Sequence, residues 1–186
     1  MSTLPITARL WKIQYLNDCY LGTNQATDRW QFDPTASSKL VISTYIPCGK
    51  YPFEAFDKVF MVNITTPMVG AAAITLNNDK SIVQYCNIGD LKAWDGTAGD
   101  QWLGISRNDG ENLTCGFKFK GNVYVGKKHS IHQLLNVDDA DVTTDGSICV
   151  MPNIGCLGQD TIQEINANMY WLSADGVAEW TGTSYD

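Results

Sequence analysis

Signals for helix are scarce in this chain. Only Ala55–Val62 and the opening residues could be read at helical spacing, and both alternate better as strands. No apolar run approaches the length of a membrane span. Basic residues are few, 13 Lys and Arg against 20 Asp and Glu, and the formal charge is −7. That balance argues against a tight nucleic-acid clamp, because phosphate affinity rests on Lys and Arg. A passage through which DNA slides without adhering is a different case, and acidity suits it. The basic pairs Lys118/Lys120 and Lys127–Lys128 read as solvated strand faces. The six cysteines, Cys19, Cys48, Cys86, Cys115, Cys149 and Cys156, include no C-x-x-C pair, so a zinc site is not expected. The opening MSTLPITARLWKIQYL has no basic region followed by a long apolar core, so a secretory leader is not expected. The cysteines then read as reduced small hydrophobes. No G-x-S-x-G, P-loop or dinucleotide fingerprint occurs, which predicts neither an enzyme nor a bound cofactor.

What the chain does have is strand material. Its 186 residues fit a single domain, with 44% hydrophobic, 11% aromatic and 18% charged residues. Short apolar or alternating runs are broken by Asn, Asp and Gly every ~8–12 residues, the spacing of an all-β protein. Asn63-Ile-Thr65 and Asn112-Leu-Thr114 match the glycosylation sequon, but both lie in strand-like segments.

The strands come in copies. Asn168–Trp180 runs Asn, strand, Asp-Gly turn, strand, aromatic, and Asn122–Leu134 has the same length. Tyr124 matches Tyr170, and Ile131 matches Val177. Each copy follows an apolar strand, Gly116–Lys120 and Thr161–Asn166. A longer copy covers Asp79–Trp94, and Trp94-Asp95-Gly96-Thr97 parallels Trp180-Thr181-Gly182-Thr183. A fourth begins at Asn17. The starts at Asp79, Asn122 and Asn168 are 43 and 46 residues apart, whereas the first gap holds an extra strand pair, EAFDKVFMVNI and AAAITL. A period in the forties with four strands per unit is the pattern of propeller blades. The expectation is one all-β domain over residues 1–186, made of about four antiparallel four-stranded, blade-like units in a β-propeller-like arrangement. A hairpin-rich β-sandwich is the alternative. Trp94 and Trp180 would pack between neighbouring sheets, with Gly96 and Gly182 allowing the turn out of the strand.

The segments FKGNVYVGKKHSIHQL (Phe119–Leu134) and EINANMYWLSADGVAEWTGT (Glu164–Thr183) resemble repeats of phage tail and neck proteins. The style is closest to the tail nozzle proteins of short-tailed phages, which carry a β-propeller. The intervening DGSICVMPNIGCLGQDTI (Asp145–Ile162) is similar to the linker in those repeats. The resemblance runs from Thr114 to Asp186, and nozzle proteins are several times longer than this chain. It implies a structural virion protein that forms an oligomeric ring with copies of itself and neighbouring tail proteins. DNA would pass through transiently, and neither catalytic residues nor a membrane is implied.

Other chemistry is weaker. His129 and His132 lie three apart, which on a strand places them on opposite faces and argues against joint metal chelation. Asp138, Asp139, Asp141 and Asp145 crowd one segment that lacks the EF-hand pattern, so a solvated acidic loop is expected before a calcium site. Trp94 and Trp102 near Asp95, Asp100 and Asp109 could make a sugar platform or a glycosidase pair. Hence a lectin-like carbohydrate-binding module is the alternative function. Aromatic packing between sheets is the simpler reading of the same residues.

Overall fold

The computed structural model describes residues 12–16, 19–23, 29–32, 41–42, 46–66, 80–91, 93–94, 101–139 and 146–182. They form an all-β protein of antiparallel sheets. β1 (Lys12–Leu16), β2 (Cys19–Thr23), β3 (Arg29–Phe32) and β4 (Val41–Ile42) make the first sheet. β5 (Cys48–Ala55), β6 (Lys58–Thr66), β7 (Ile82–Tyr85) and β8 (Trp102–Gly104) make the second. β9 (Cys115–Phe119), β10 (Asn122–Gly126), β11 (Ser130–Leu135) and β12 (Gly146–Pro152) make the third. β13 (Gln163–Ile165), β14 (Asn168–Ser173) and β15 (Gly176–Trp180) make the fourth, preceded by a 3-10 turn at Gln159–Thr161. Strand order equals chain order in every sheet, so each is a simple meander.

Two-residue hairpins open the last three sheets for a local reason. Phe56-Asp57, Lys120-Gly121 and Asn166-Ala167 link the first and second strands of the last three sheets, and all six residues sit at positive φ. Paired positive φ values are the turn whose twist matches that of the flanking strands. Only Lys120-Gly121 carries the expected glycine, so the other two turns have weak sequence signals.

The sheets stack in chain order, and each interface has its own core. Leu21 of β2 packs with Val59, Met61, Ile64, Ile82 and Trp94 between the first and second sheets. Phe53, Phe60, Val62 and Tyr85 meet Val123, Val125 and Leu134 between the second and third. Phe117, Phe119, Tyr124 and Ile131 meet Met169, Trp171 and Trp180 between the third and fourth. A sheet buried on both faces needs apolar residues at consecutive positions, and β6 reads Val59-Phe60-Met61-Val62 for that reason. Asn63, left-handed at φ 58°, breaks the alternation, and Ile64 joins Val59 and Met61 on the first-sheet side.

First strands approach each other most closely, β1 with β5 and β5 with β9. Gly116 on β9 makes the second approach possible, because a Cβ there would fall 2.1 Å from Phe53 Cε1. The flanking β9 backbone is held by Gln159, which accepts from Gly116 N–H (2.7 Å) and donates to Gly116 C=O (2.8 Å).

The Asp79–Trp94 segment is not a hairpin of the expected kind. Ile82–Tyr85 is the third strand of the second sheet, and the chain then turns through an isolated bridge, Asn87 to Asp90. The segment EAFDKVFMVNI, expected as one strand of the extra pair, instead covers the end of β5, the Phe56-Asp57 turn and most of β6, which open the second sheet. The segment AAAITL lies outside the described residues.

Candidate functional site

The two best-matched sequence units fold alike, and their comparison defines the site. In β10–β11, Tyr124 pairs with Gln133 and Gly126 with Ile131. In β14–β15, Tyr170 pairs with Glu179 and Leu172 with Val177. Aligning Asn122 with Asn168 superimposes the two registers residue for residue.

Their faces obey one rule. The second and fourth residues of the second strand face the preceding sheet. They are Val59 and Met61 in β6, Val123 and Val125 in β10, and Met169 and Trp171 in β14. The third residue faces the following sheet, as Leu21, Phe60 and Tyr124 do. By the same rule Tyr170 faces outward from the fourth sheet, where it is half-buried. Tyr124 and Ile131 are buried, whereas Val177, the partner position of Ile131, is 77% exposed. Leu172 and Ile165 share that outer face and are 42% and 52% exposed. Tyr170 Oη donates to Glu179 Oε1 (2.7 Å), and Asn168 Nδ2 donates to the same oxygen (2.8 Å). The carboxylate that accepts the Tyr170 hydroxyl raises its pKa. Beside this face a groove of about 300 Å³ runs between Met151 and Ile154 on one wall and Trp171 and Ala178 on the other. It follows β15, the edge strand of a sheet that has three strands among the described residues where the others have four.

The inner face of the fourth sheet is a built interface. Trp180, the last residue of β15, stands edge-on to Tyr124 at 4.7 Å and tilts against Phe119 at 5.4 Å. Phe117 reaches Trp171 at 6.3 Å, and Trp171 Nε1 donates to Gly155 C=O at 2.9 Å. Gly182 follows at φ 83°, where a Cβ would meet Lys120 Cδ at 2.7 Å. Lys120 Nζ donates to Thr181 C=O. Two further lysines cross between the second and third sheets. Lys58 Nζ donates to Val137 C=O (3.0 Å) and to Asp139 C=O. Lys127 Nζ meets Ser106 C=O (2.9 Å) and both Asp109 oxygens (2.7 Å each). Thus Lys127, read from sequence as solvated, is a buried joint between sheets, whereas Lys118, Lys120 and Lys128 are exposed as expected, Lys120 reaching across at the surface.

Trp94 lies in the β7–β8 connection, buried between the first and second sheets, and its Nε1 donates to Leu91 C=O at 2.6 Å. It does not end a strand as Trp180 does, and Gly96 lies outside the described residues. Burial removes Trp94 from any sugar platform. Trp102 is half-buried, with the Arg107 guanidinium 5.8 Å from its ring centre. Asp109 is held by Lys127, and Asp95 and Asp100 lie outside the described residues. His132 is buried and contacts Ser130 Oγ at 3.0 Å, whereas His129 is exposed and pairs with Glu111. Asp138 and Asp139 are exposed, and Asp141 and Asp145 lie outside the described residues. Among the described residues, no three His, Cys, Asp or Glu side chains are placed to hold a metal ion. No described helix is long and apolar enough to cross a membrane.

The chain matches no protein-family model and no curated protein sequence.

Proposed function

We propose that this protein is a structural component of a bacteriophage virion, part of the tail tube, nozzle or neck, assembling into a ring around the DNA passage. The supporting observation is the open face of the fourth sheet. It repeats, position for position, a face that is buried everywhere else in the stack. A sheet face built to be covered but left bare in the single chain is an assembly surface. The sequence resemblance of Phe119–Leu134 and Glu164–Thr183 to tail repeats supplies the setting. The net charge of −7 suits a wall that passes DNA without holding it. Neighbouring copies and adjacent tail proteins would be the partners, and the virion its location.

The test is proteomics and antibody-labelled electron microscopy of purified particles. The protein should be present in stoichiometric copies at the tail or neck, as a ring. Absence from particles carrying their full set of tail proteins would overturn the reading.

A further inference from the structure

We infer that the outer face of the fourth sheet docks on the outer face of the first sheet of a second copy, head to tail. This deepens the ring reading, and rests on it, by naming the two surfaces that meet.

The argument is continuity. Three interfaces inside the chain share one construction, the following-side face of one sheet against the preceding-side face of the next. A stack built this way has two bare ends of opposite kind. The following-side end is the Tyr170–Leu172–Val177 face. The preceding-side end belongs to the first sheet, and Ile13 there is 59% exposed. Ile13 pairs with Gly22 while Gln14 pairs with Leu21, so Ile13 lies opposite the face that packs on the second sheet. The register aligns Ile13 with Gly22, Trp30 and Ile42, and Tyr15 with Tyr20 and Phe32. Apart from Gly22, those rows hold only apolar and aromatic residue types.

The chain does not join its own ends, because Ile13 and Val177 are both exposed in it. The surface that matches the fourth sheet therefore comes from another copy. Such a contact is heterologous, and it closes into a ring when the rotation allows. Two copies joined twice would make eight sheets, within the range in which radial sheets close.

The experiment is sedimentation velocity with native mass spectrometry on the full chain. The variants are Val177→Asp with Leu172→Asp on one end and Ile13→Asp on the other. All three positions are exposed, and circular dichroism confirms folding of each variant. Wild type is expected at a multiple of 20.5 kDa, and each variant alone should fall to a monomer. Mixing the two variants should restore a two-chain species, since each keeps one intact end. Oligomers that survive Ile13→Asp but not the fourth-sheet variant would mean like-to-like packing and overturn the proposal. Oligomers insensitive to both would overturn this interface and leave the ring reading standing. A wild type that is monomeric at all concentrations would overturn both.

Discussion

Replacing Gly116 by alanine tests whether the close approach of first strands holds the stack together. The added Cβ would sit 2.1 Å from Phe53 Cε1, 2.7 Å from Cδ1 and 2.8 Å from Cζ. Carbon atoms rest at about 3.5–4.0 Å, so the ring must retreat by roughly 1.5 Å. It has little room, because Phe53 stacks on Phe60 at 5.1 Å and Phe60 lies 5.2 Å from Tyr85. Overpacking of this kind costs about 1–3 kcal/mol, and the blocked retreat puts Gly116→Ala at roughly 2–3 kcal/mol. For a chain of this length that lowers Tm by about 4–12 °C. Calorimetry and urea unfolding measure the change. Phe53→Leu in the same chain should recover about half of the loss, since the branched side chain vacates the clash. A double-mutant cycle should give a coupling of about 1–2 kcal/mol. A Gly116→Ala protein within about 0.5 kcal/mol of wild type, or strict additivity with Phe53→Leu, would refute the reasoning.

Further outcomes follow from the same interfaces. Trp180→Ala should cost about 3–5 kcal/mol in urea unfolding, because it empties the space between Phe119 and Tyr124. Stability should fall in two steps on acidification. Burial, aided by the Lys127 charge, lowers the His132 pKa, so its contribution is complete above the ordinary imidazole value of about 6.5 and declines as pH drops below it. Burial pushes the Asp109 carboxyl up, but its bonds to Lys127 and to Glu111 N–H prevail and lower it. Its contribution is therefore present above the ordinary carboxylate range and lost as pH falls through the lower folded value. Denaturant midpoints from pH 8 to pH 3 should lose the first step in His132→Gln and the second in Asp109→Asn. Thiol labelling read by peptide mass spectrometry should modify Cys149, which is exposed, well before Cys86, Cys115 or Cys156. Cys86 is pushed up to about 12 by burial. Cys156 is held at about 7 by the hydrogen bond from Cys115, yet its burial should still protect it.

The last two sheets were the legible part of the sequence. Asn122 and Asn168 open second strands of the same register, and each follows a short first strand. The second sheet was obscured because β6 is buried on both faces and loses its alternation, and because Phe56-Asp57 makes a positive-φ turn without glycine. Trp94 matched Trp180 through its neighbours in sequence, but one sits in a loop and the other ends a strand. The open face had a partial signal. Tyr170 and Val177 align with Tyr124 and Ile131, and the pattern is the same whether a face is covered within the chain or left for another. Only packing distinguishes the two. The lysine joints were invisible, since a cation that crosses to a neighbouring carbonyl has the sequence of a solvated one.

Those joints carry a consequence for how such a stack can diverge. Lys58 and Lys120 reach main-chain oxygens of the next unit, and Lys127 takes one of its contacts from a main-chain oxygen of the preceding one. A main-chain oxygen is supplied by any residue type, so no matching substitution on the far side is required to keep the joint. Neighbouring units can drift apart in side-chain identity while the fastening between them persists. A family of such stacks could thus be mechanically alike and share almost no recognisable wording.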